Sequence, residues 1–308
     1  MELSTALKTG LTASGAALAL FFASQSVAAP IIMEGDFVKT AISENGTLGY
    51  GGTIAPGLLH DPTGNRNFGV NDYLTPGDPW EWFGVTVAGT TYGNNNNNTW
   101  SGGSFGFGTL NDVSGTSSYD HHVSWSSALS GLLSIEHQYY FNDGDERVNI
   151  TTTITALDIL ADVKFLRAID PDPDVNTHGT YDTINGRGYG ALAPEDWVHS
   201  LGANTGFALG IYSNSSVTHN TGVSAGWTTN PDFYLNGNDD GTGDFVIGMA
   251  FLLGDMTQGQ SISFDYAYVM GDSIDNVDIP PSNPVPAPAS LALLALGLVG
   301  IRFSRRRN

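Results

Sequence analysis

Alternation with a period of two over residues 133–154 is the strongest constraint on how this chain folds. Leu133, Ile135, His137, Tyr139 and Phe141 alternate with Ser134, Glu136, Gln138 and Tyr140. After Asn142-Asp143-Gly144-Asp145 the pattern resumes at Val148, Ile150, Thr152 and Ile154. Successive strand side chains point to opposite faces, so each run presents one apolar and one polar face, and the Asn/Asp/Gly break joins them as a hairpin. A second alternation sets Ile262, Phe264, Tyr266, Tyr268 and Met270 against Ser261, Ser263, Asp265, Ala267 and Val269. Shorter strands are expected at 85–87, 165–169, 207–212 and 245–253, between Gly, Asn, Asp and Pro punctuation. No segment between residues 30 and 280 carries a persuasive helical period. The predicted fold is all-β, a large two-sheet antiparallel β-sandwich filling residues 30–279.

The two ends have other tasks. Residues 1–29 carry Lys8, an apolar stretch from Leu11 to Phe22 and the small-residue close Ser26-Val27-Ala28-Ala29, the plan of a secretory signal peptide. Signal peptidase and the Sec export machinery are the partners this implies. At the other end, residues 280–288 form a Pro-rich spacer, and residues 289–308 an apolar run followed by an Arg cluster. The 13 uncharged residues from Ala289 to Ile301 reach only ~20 Å as a helix against a hydrocarbon core of ~30 Å, a short transmembrane helix at best. Arg302, Arg305, Arg306 and Arg307 all lie beyond that run, which orients the C-terminus to the cytoplasm and the rest of the chain across the membrane.

Val285-Pro286-Ala287-Pro288-Ala289, the apolar run and the terminal Arg cluster, in this order, resemble the PEP-CTERM sorting signal of Gram-negative bacteria. Ala287 stands where that family usually has Glu. The resemblance covers 24 of the 308 residues. It implies processing by an exosortase, a transient inner-membrane anchor, and delivery to the cell surface or outside it, often in organisms that make exopolysaccharide.

Without its two ends the chain keeps 30 of the 31 acidic residues and 6 of the 11 basic ones, a net charge of −24. Such a domain repels nucleic acid phosphates, which excludes nucleic acid as a partner, and attracts cations. Cysteine is absent, so the exported domain must be held by its core, with no disulfide to help. The elongated sandwiches of sugar-mutarotase-like and glycosidase accessory domains are the architectural analogy.

Two acidic loops are candidate calcium sites. Asp170, Asp172 and Asp174, two residues apart, would project to one side of an extended stretch, with Asn176 adding an oxygen; Asn238, Asp239, Asp240 and Asp244 mix oxygen ligands with glycines. Neither loop has the EF-hand spacing. Trp80, Trp82 and Trp100 are candidate sugar contacts, although Trp80 and Trp82 share a strand face, an arrangement more often found in a core. The Asn94–Asn98 run reads as a surface loop. His137 reads as a core histidine, Thr151, Thr153 and Thr155 as a single outward row, and Glu136, Glu195 and Asp196 as acids that glycosidase chemistry would have to bring together. No catalytic constellation stands out. The expected function is that of an exported surface or extracellular-matrix protein without catalytic activity; a carbohydrate-binding module for exopolysaccharide is the alternative, and a glycoside-active enzyme comes third.

Overall fold

A computed structural model describes residues 29–49, 56–69, 71–74, 80–97 and 99–280. The signal peptide and the sorting tail expected from the sequence lie outside the described residues, apart from Ala29 and Pro280 at their borders. Among the described residues no helix is long and apolar enough to cross a membrane.

In chain order the strands are β1 (Ile31–Glu34), β2 (Val38–Ile42), β3 (Leu58–His60), β4 (Glu81–Val87), β5 (Thr90–Asn95), β6 (Gly103–Ser104), β7 (Thr109–Asp112), β8 (His121–Leu129) and β9 (Leu133–Phe141). They continue as β10 (Arg147–Ala156), β11 (Leu160–Ile169), β12 (Thr183–Arg187), β13 (Trp197–Gly202), β14 (Ala208–Tyr212), β15 (His219–Ser224), β16 (Val246–Met256) and β17 (Ser261–Gly271). Two short helices interrupt them, α1 (Val175–His178) and α2 (Pro231–Leu235). An eight-stranded sheet, ordered β12-β13-β14-β17-β10-β9-β8-β7, faces a six-stranded sheet, ordered β15-β16-β11-β4-β5-β6, and β1-β2-β3 form a third, small sheet. The β5–β6 pair is parallel; every other strand pair is antiparallel.

The alternation read from the sequence sets the register. In the β9–β10 hairpin Ile135 pairs with Ile154, His137 with Thr152 and Tyr139 with Ile150, so the apolar positions of both strands share the inner face. β17 joins β10 with Tyr266 opposite Ile150 and Phe264 opposite Thr152. From the facing sheet, Phe83, Val85, Phe165, Ile247, Met249 and Phe251 close the same core. His137 is buried there as expected, stacked on Trp125 with ring centres 5.3 Å apart and bonded through Nδ1 to Thr152.

At the centre of this apolar layer lies a salt bridge. Arg167 and Glu81 are both 0 % exposed and pair with each other through Arg167 Nε and Glu81 Oε1. Arg167 Nη1 donates to the Tyr139 hydroxyl at 3.2 Å, and the Tyr268 hydroxyl donates to Glu81 Oε1 at 2.7 Å. The second carboxylate oxygen accepts from the Leu48 backbone N–H at 2.8 Å. The rings of Phe83, Tyr139 and Tyr268 lie 5.5, 5.6 and 5.9 Å from the guanidinium carbon, within cation–π range. Burial disfavours both charges. Even so, the facing carboxylate holds the Arg167 proton on well above its ordinary range.

Leaving one half of a buried pair alone strands a charge in low dielectric, which costs more than deleting both halves. Arg167→Met is therefore expected to lose ~3–5 kcal/mol of stability in urea unfolding. The Arg167→Met/Glu81→Gln double variant should recover part of that loss. Equal losses in the single and double variants would refute a charge-pair role.

Candidate functional site

The first acidic loop leaves the end of β11 and is pinned immediately. The Asp170 N–H donates to the Trp80 carbonyl and the Asp172 N–H to the Tyr73 carbonyl. Asp170, Asp172 and Asp174, expected to project together toward a cation, are all buried, at 3, 2 and 1 % exposure. Nor do they project together. Asp174 turns to the β13–β14 connection, where its carboxylate accepts from the backbone N–H groups of Asn204 and Thr205, the Thr205 hydroxyl and the Asn204 side chain. Against the upward push of burial, these bonds hold Asp174 below the usual carboxylate range. The cause is the turn into α1, which ends the extended backbone that the alternating projection requires. Asn176 lies exposed on α1.

The second loop uses its polar groups to shape its own turns. Asn238 donates its side-chain amide to the Phe233 carbonyl, Asp239 accepts from the Gly241 N–H, and Asp240 accepts from the Ala225 N–H. Asp244 behaves differently. Its charge and that of Asp170 act on Asp172, which burial above all pushes up to about 9. The fold thus brings the two acidic loops together at Asp172 and Asp244, 72 residues apart in the chain. Asp172 Oδ1 is buried without a hydrogen-bond partner among the described residues. Among the described residues, no three carboxylates or imidazoles are placed to hold one metal ion.

The three tryptophans separate as well. Trp82 is 0 % exposed on the outer face of the six-stranded sheet, in a small second core with Leu166, Ala168, Val246, Ala250 and Tyr234 of α2. It cannot touch a sugar in this fold, because it is fully enclosed in that second core. Trp80 packs edge-on against Trp82 at 5.8 Å and against Trp227 at 5.7 Å. Trp100, half-buried like Trp80, lines a pocket. It lies across Gly84 and Gly93, and a β-carbon on Gly93 would come within 2.6 Å of the indole, so the bare glycine is what lets the ring settle on the sheet. With Phe107, 53 % exposed, it walls a pocket of about 270 Å³ over Asn45, Asn94, Asn95 and Ser104.

The first three residues of the asparagine run are not the surface loop expected from composition, and Asn98 lies outside the described residues. Asn94, Asn95 and Asn96 are buried, at 3, 1 and 1 % exposure. Their amides tie the end of β5 to neighbouring backbone: Asn94 Nδ2 donates to the carbonyls of Asn45 and Gly106, and Asn96 Oδ1 accepts from the Glu81 N–H. An amide carries both donor and acceptor, so it can satisfy backbone groups at a strand end that a loop would leave to water.

The other chemistry-bearing residues are dispersed. Glu136 stands on β9, while Glu195 and Asp196 precede β13, four strand positions away in the sheet, about 20 Å at normal strand spacing. Asp196 is bonded to His219. His60 bridges Tyr73 and Glu146, His121 meets Asp143, and His199 is pushed down to about 4 by burial. What the arrangement offers is binding surface and buried polar staples.

Residues 284–307 match the family model of the PEP-CTERM protein-sorting motif, so the C-terminus carries that motif. No curated protein matches the chain. Among solved structures, a bacterial glucoamylase complexed with acarbose is similar with 11 % identity and a TM-score of 0.51, covering 80 % of this chain and 32 % of the glucoamylase. A GalM/aldose epimerase homologue from C. elegans is 11 % identical with a TM-score of 0.44, covering 80 % of this chain and 100 % of that one. A putative aldose 1-epimerase from Escherichia coli is 9 % identical with a TM-score of 0.39, covering 78 % and 98 %. The chain spans about a third of the glucoamylase's length, and at this identity the likeness is one of fold alone. The class is therefore an all-β sandwich protein, and the chain carries a PEP-CTERM sorting motif at its C-terminus.

Asp172 supplies a test of the acidic junction. It keeps its proton in the folded chain up to about pH 9, whereas an unfolded Asp ionises near ~4. Folding takes up a proton between these values. The contribution of Asp172 to stability is thus fullest below about pH 4 and is lost as pH rises toward 9, by up to ~1.4 kcal/mol per unit. Asp172→Asn should melt at a higher temperature relative to the native protein at pH 8 than at pH 4.5. Identical pH dependence of the two proteins would rule out a buried protonated acid. In the same melts, a calcium-dependent rise that disappears in Asp172→Asn would mark a cation at this carboxylate.

Proposed function

We propose that the protein is an exported cell-surface or extracellular-matrix protein without catalytic activity, delivered by its PEP-CTERM tail. The observation that carries this reading is the sorting motif at residues 284–307, with Pro286 and Pro288 before the apolar run and Arg302, Arg305, Arg306 and Arg307 after it. An exosortase recognises the tail, and the signal peptide with the Sec machinery brings the chain to the membrane. The β-sandwich is the cargo. Its buried carboxylates and amides act as internal staples, and the side chains with the chemistry for acid–base catalysis are apart or engaged with partners, which supports a scaffold or binding role. A carbohydrate-binding role is the second reading, favoured by the uncovered polar face of the eight-stranded sheet.

Intact mass of the protein recovered from the surface of an exosortase-bearing Gram-negative host tests the delivery. The native chain should end near Pro286 to Ala289. A variant carrying Arg302→Ala, Arg305→Ala, Arg306→Ala and Arg307→Ala should keep its tail and remain in the inner membrane. An uncut native C-terminus would leave a membrane-tethered periplasmic domain and overturn the proposal.

A further inference from the structure

The outer faces of the two large sheets are treated differently. On the six-stranded sheet, α2 and the tryptophan cluster seal the surface. On the eight-stranded sheet, the chain after β17 covers only one end, where Val277 and Ile279 pack on Trp197, Ala267 and Val269. The rest, across β7, β8, β9, β10 and the first half of β17, has no layer over it among the described residues. Strand register arranges its side chains in rows. One row across the five strands reads Thr109, Ser126, Glu136, Thr153, Ser263. The next reads Asn111, Ser124, Gln138, Thr151, Asp265.

A threonine alternation in one strand, seen alone, is ordinary outward strand composition. Here it is the fourth column of an array five strands wide, and a trough of about 370 Å³ runs over Ser126, Glu136 and Thr153. Hydrogen bonds fix the column in place: Thr151 donates to Asp265 at 2.6 Å, and Thr153 and Thr155 bond to Ser263 and Ser261 at 2.7 Å each. Along the chain from the second row, the face ends in an aromatic shelf. Tyr140 packs against Tyr119 at 4.4 Å and against His122 at 5.7 Å.

These rows hold no apolar side chain, which removes the usual driving force for docking a protein. They hold two carboxylates and no Lys or Arg, which disfavours an anionic polymer. Hydroxyl and amide groups that both donate and accept match a partner whose groups do the same, and an ionised carboxylate accepts strongly from a hydroxyl. An aromatic ring at the edge adds a flat apolar surface beside a wet one. We propose that this face, centred on Glu136, Thr151, Thr153 and Asp265 and bounded by Tyr140, is a binding surface for a neutral polysaccharide. It is separate from the Trp100 pocket, which sits on the other sheet's edge. The proposal rests on the reading of the protein as exported to the cell surface, where such polymers are met.

The test is affinity electrophoresis of the protein recovered from the cell surface, in native gels containing dextran, hydroxyethyl cellulose or galactomannan, with alginate as the anionic comparison. The native protein should be retarded by at least one neutral polymer and not by alginate. Thr153→Arg, a substitution at a half-buried, outward-facing position, and Tyr140→Ala should each weaken that binding about tenfold or more. Thr153→Ser and Trp100→Ala should bind as the native protein does. Absence of retardation by every neutral polymer would overturn the proposal, as would tighter binding to alginate. Loss of binding in Trp100→Ala with Thr153→Arg unaffected would also overturn it, by moving the site to the pocket. None of these outcomes alters the mass of the processed tail, so failure here and failure of the delivery reading are distinguishable.

Discussion

The sandwich is organised around one buried ion pair. Arg167 on β11 and Glu81 on β4 sit side by side on the inner face of the six-stranded sheet, and their remaining hydrogen bonds reach across the core. Tyr139 of β9 and Tyr268 of β17 come from the opposite sheet; Leu48 and Gly46 come from the segment that follows β2. An apolar core alone would let these three bodies slide, since the hydrophobic effect is non-directional. A charge pair in low dielectric tolerates only the geometry that satisfies it. In a chain without cysteine, this network does the positional work that a disulfide does elsewhere, without a covalent bond.

How much of this was legible in the sequence depends on the range of the interaction. The β9–β10 hairpin and β17 could be read because their alternation is local and uninterrupted, and the stretches 165–169, 207–212 and 245–253 fall in or at the ends of real strands. β1, β2, β3, β12, β13 and β15 went unread because both of their faces are partly covered or their residues are small and polar, which erases the period, and β5, β6, β7 and β8 went unread as well. Arg167 could not be picked out, since a single Arg in a strand has no sequence mark that says its partner is Glu81, 86 residues earlier.

The candidate site follows the same rule. Trp80 and Trp82 share a face as their spacing requires, but whether that face meets solvent depends on α2, over 140 residues away. The threonine row was visible; the serines, glutamate and aspartate that widen it to five strands come from registers that only the folded sheet fixes. Composition misled most at the asparagine run. Repeated polar residues resemble a flexible loop, yet at the end of a buried strand their amides are what the backbone needs.

The acidity of the chain has to be divided in the same way. A net charge of −24 for the domain suggests a uniformly anionic surface, but Glu44, Asp61, Asp72, Glu81, Asp170, Asp172 and Asp174 are buried. Three of these, Asp61, Asp72 and Asp174, close loops. Asp61 accepts from the backbone N–H groups of Thr63, Asn65 and Asn67, and Asp72 from those of Gly57, Leu58 and Leu74. Against the upward push of burial, these donors hold Asp61 below the usual range, so its contribution is present at neutral pH and is lost on acidification through its folded pKa. Asp172 runs the other way, since its carboxyl is raised and its cost grows with pH. A staple that accepts several N–H bonds explains its own burial. Asp172 Oδ1, buried under the charges of Asp170 and Asp244 and without a hydrogen-bond partner among the described residues, does not, and there the fold carries a cost that the N–H-bonded staples at Asp61 and Asp72 avoid.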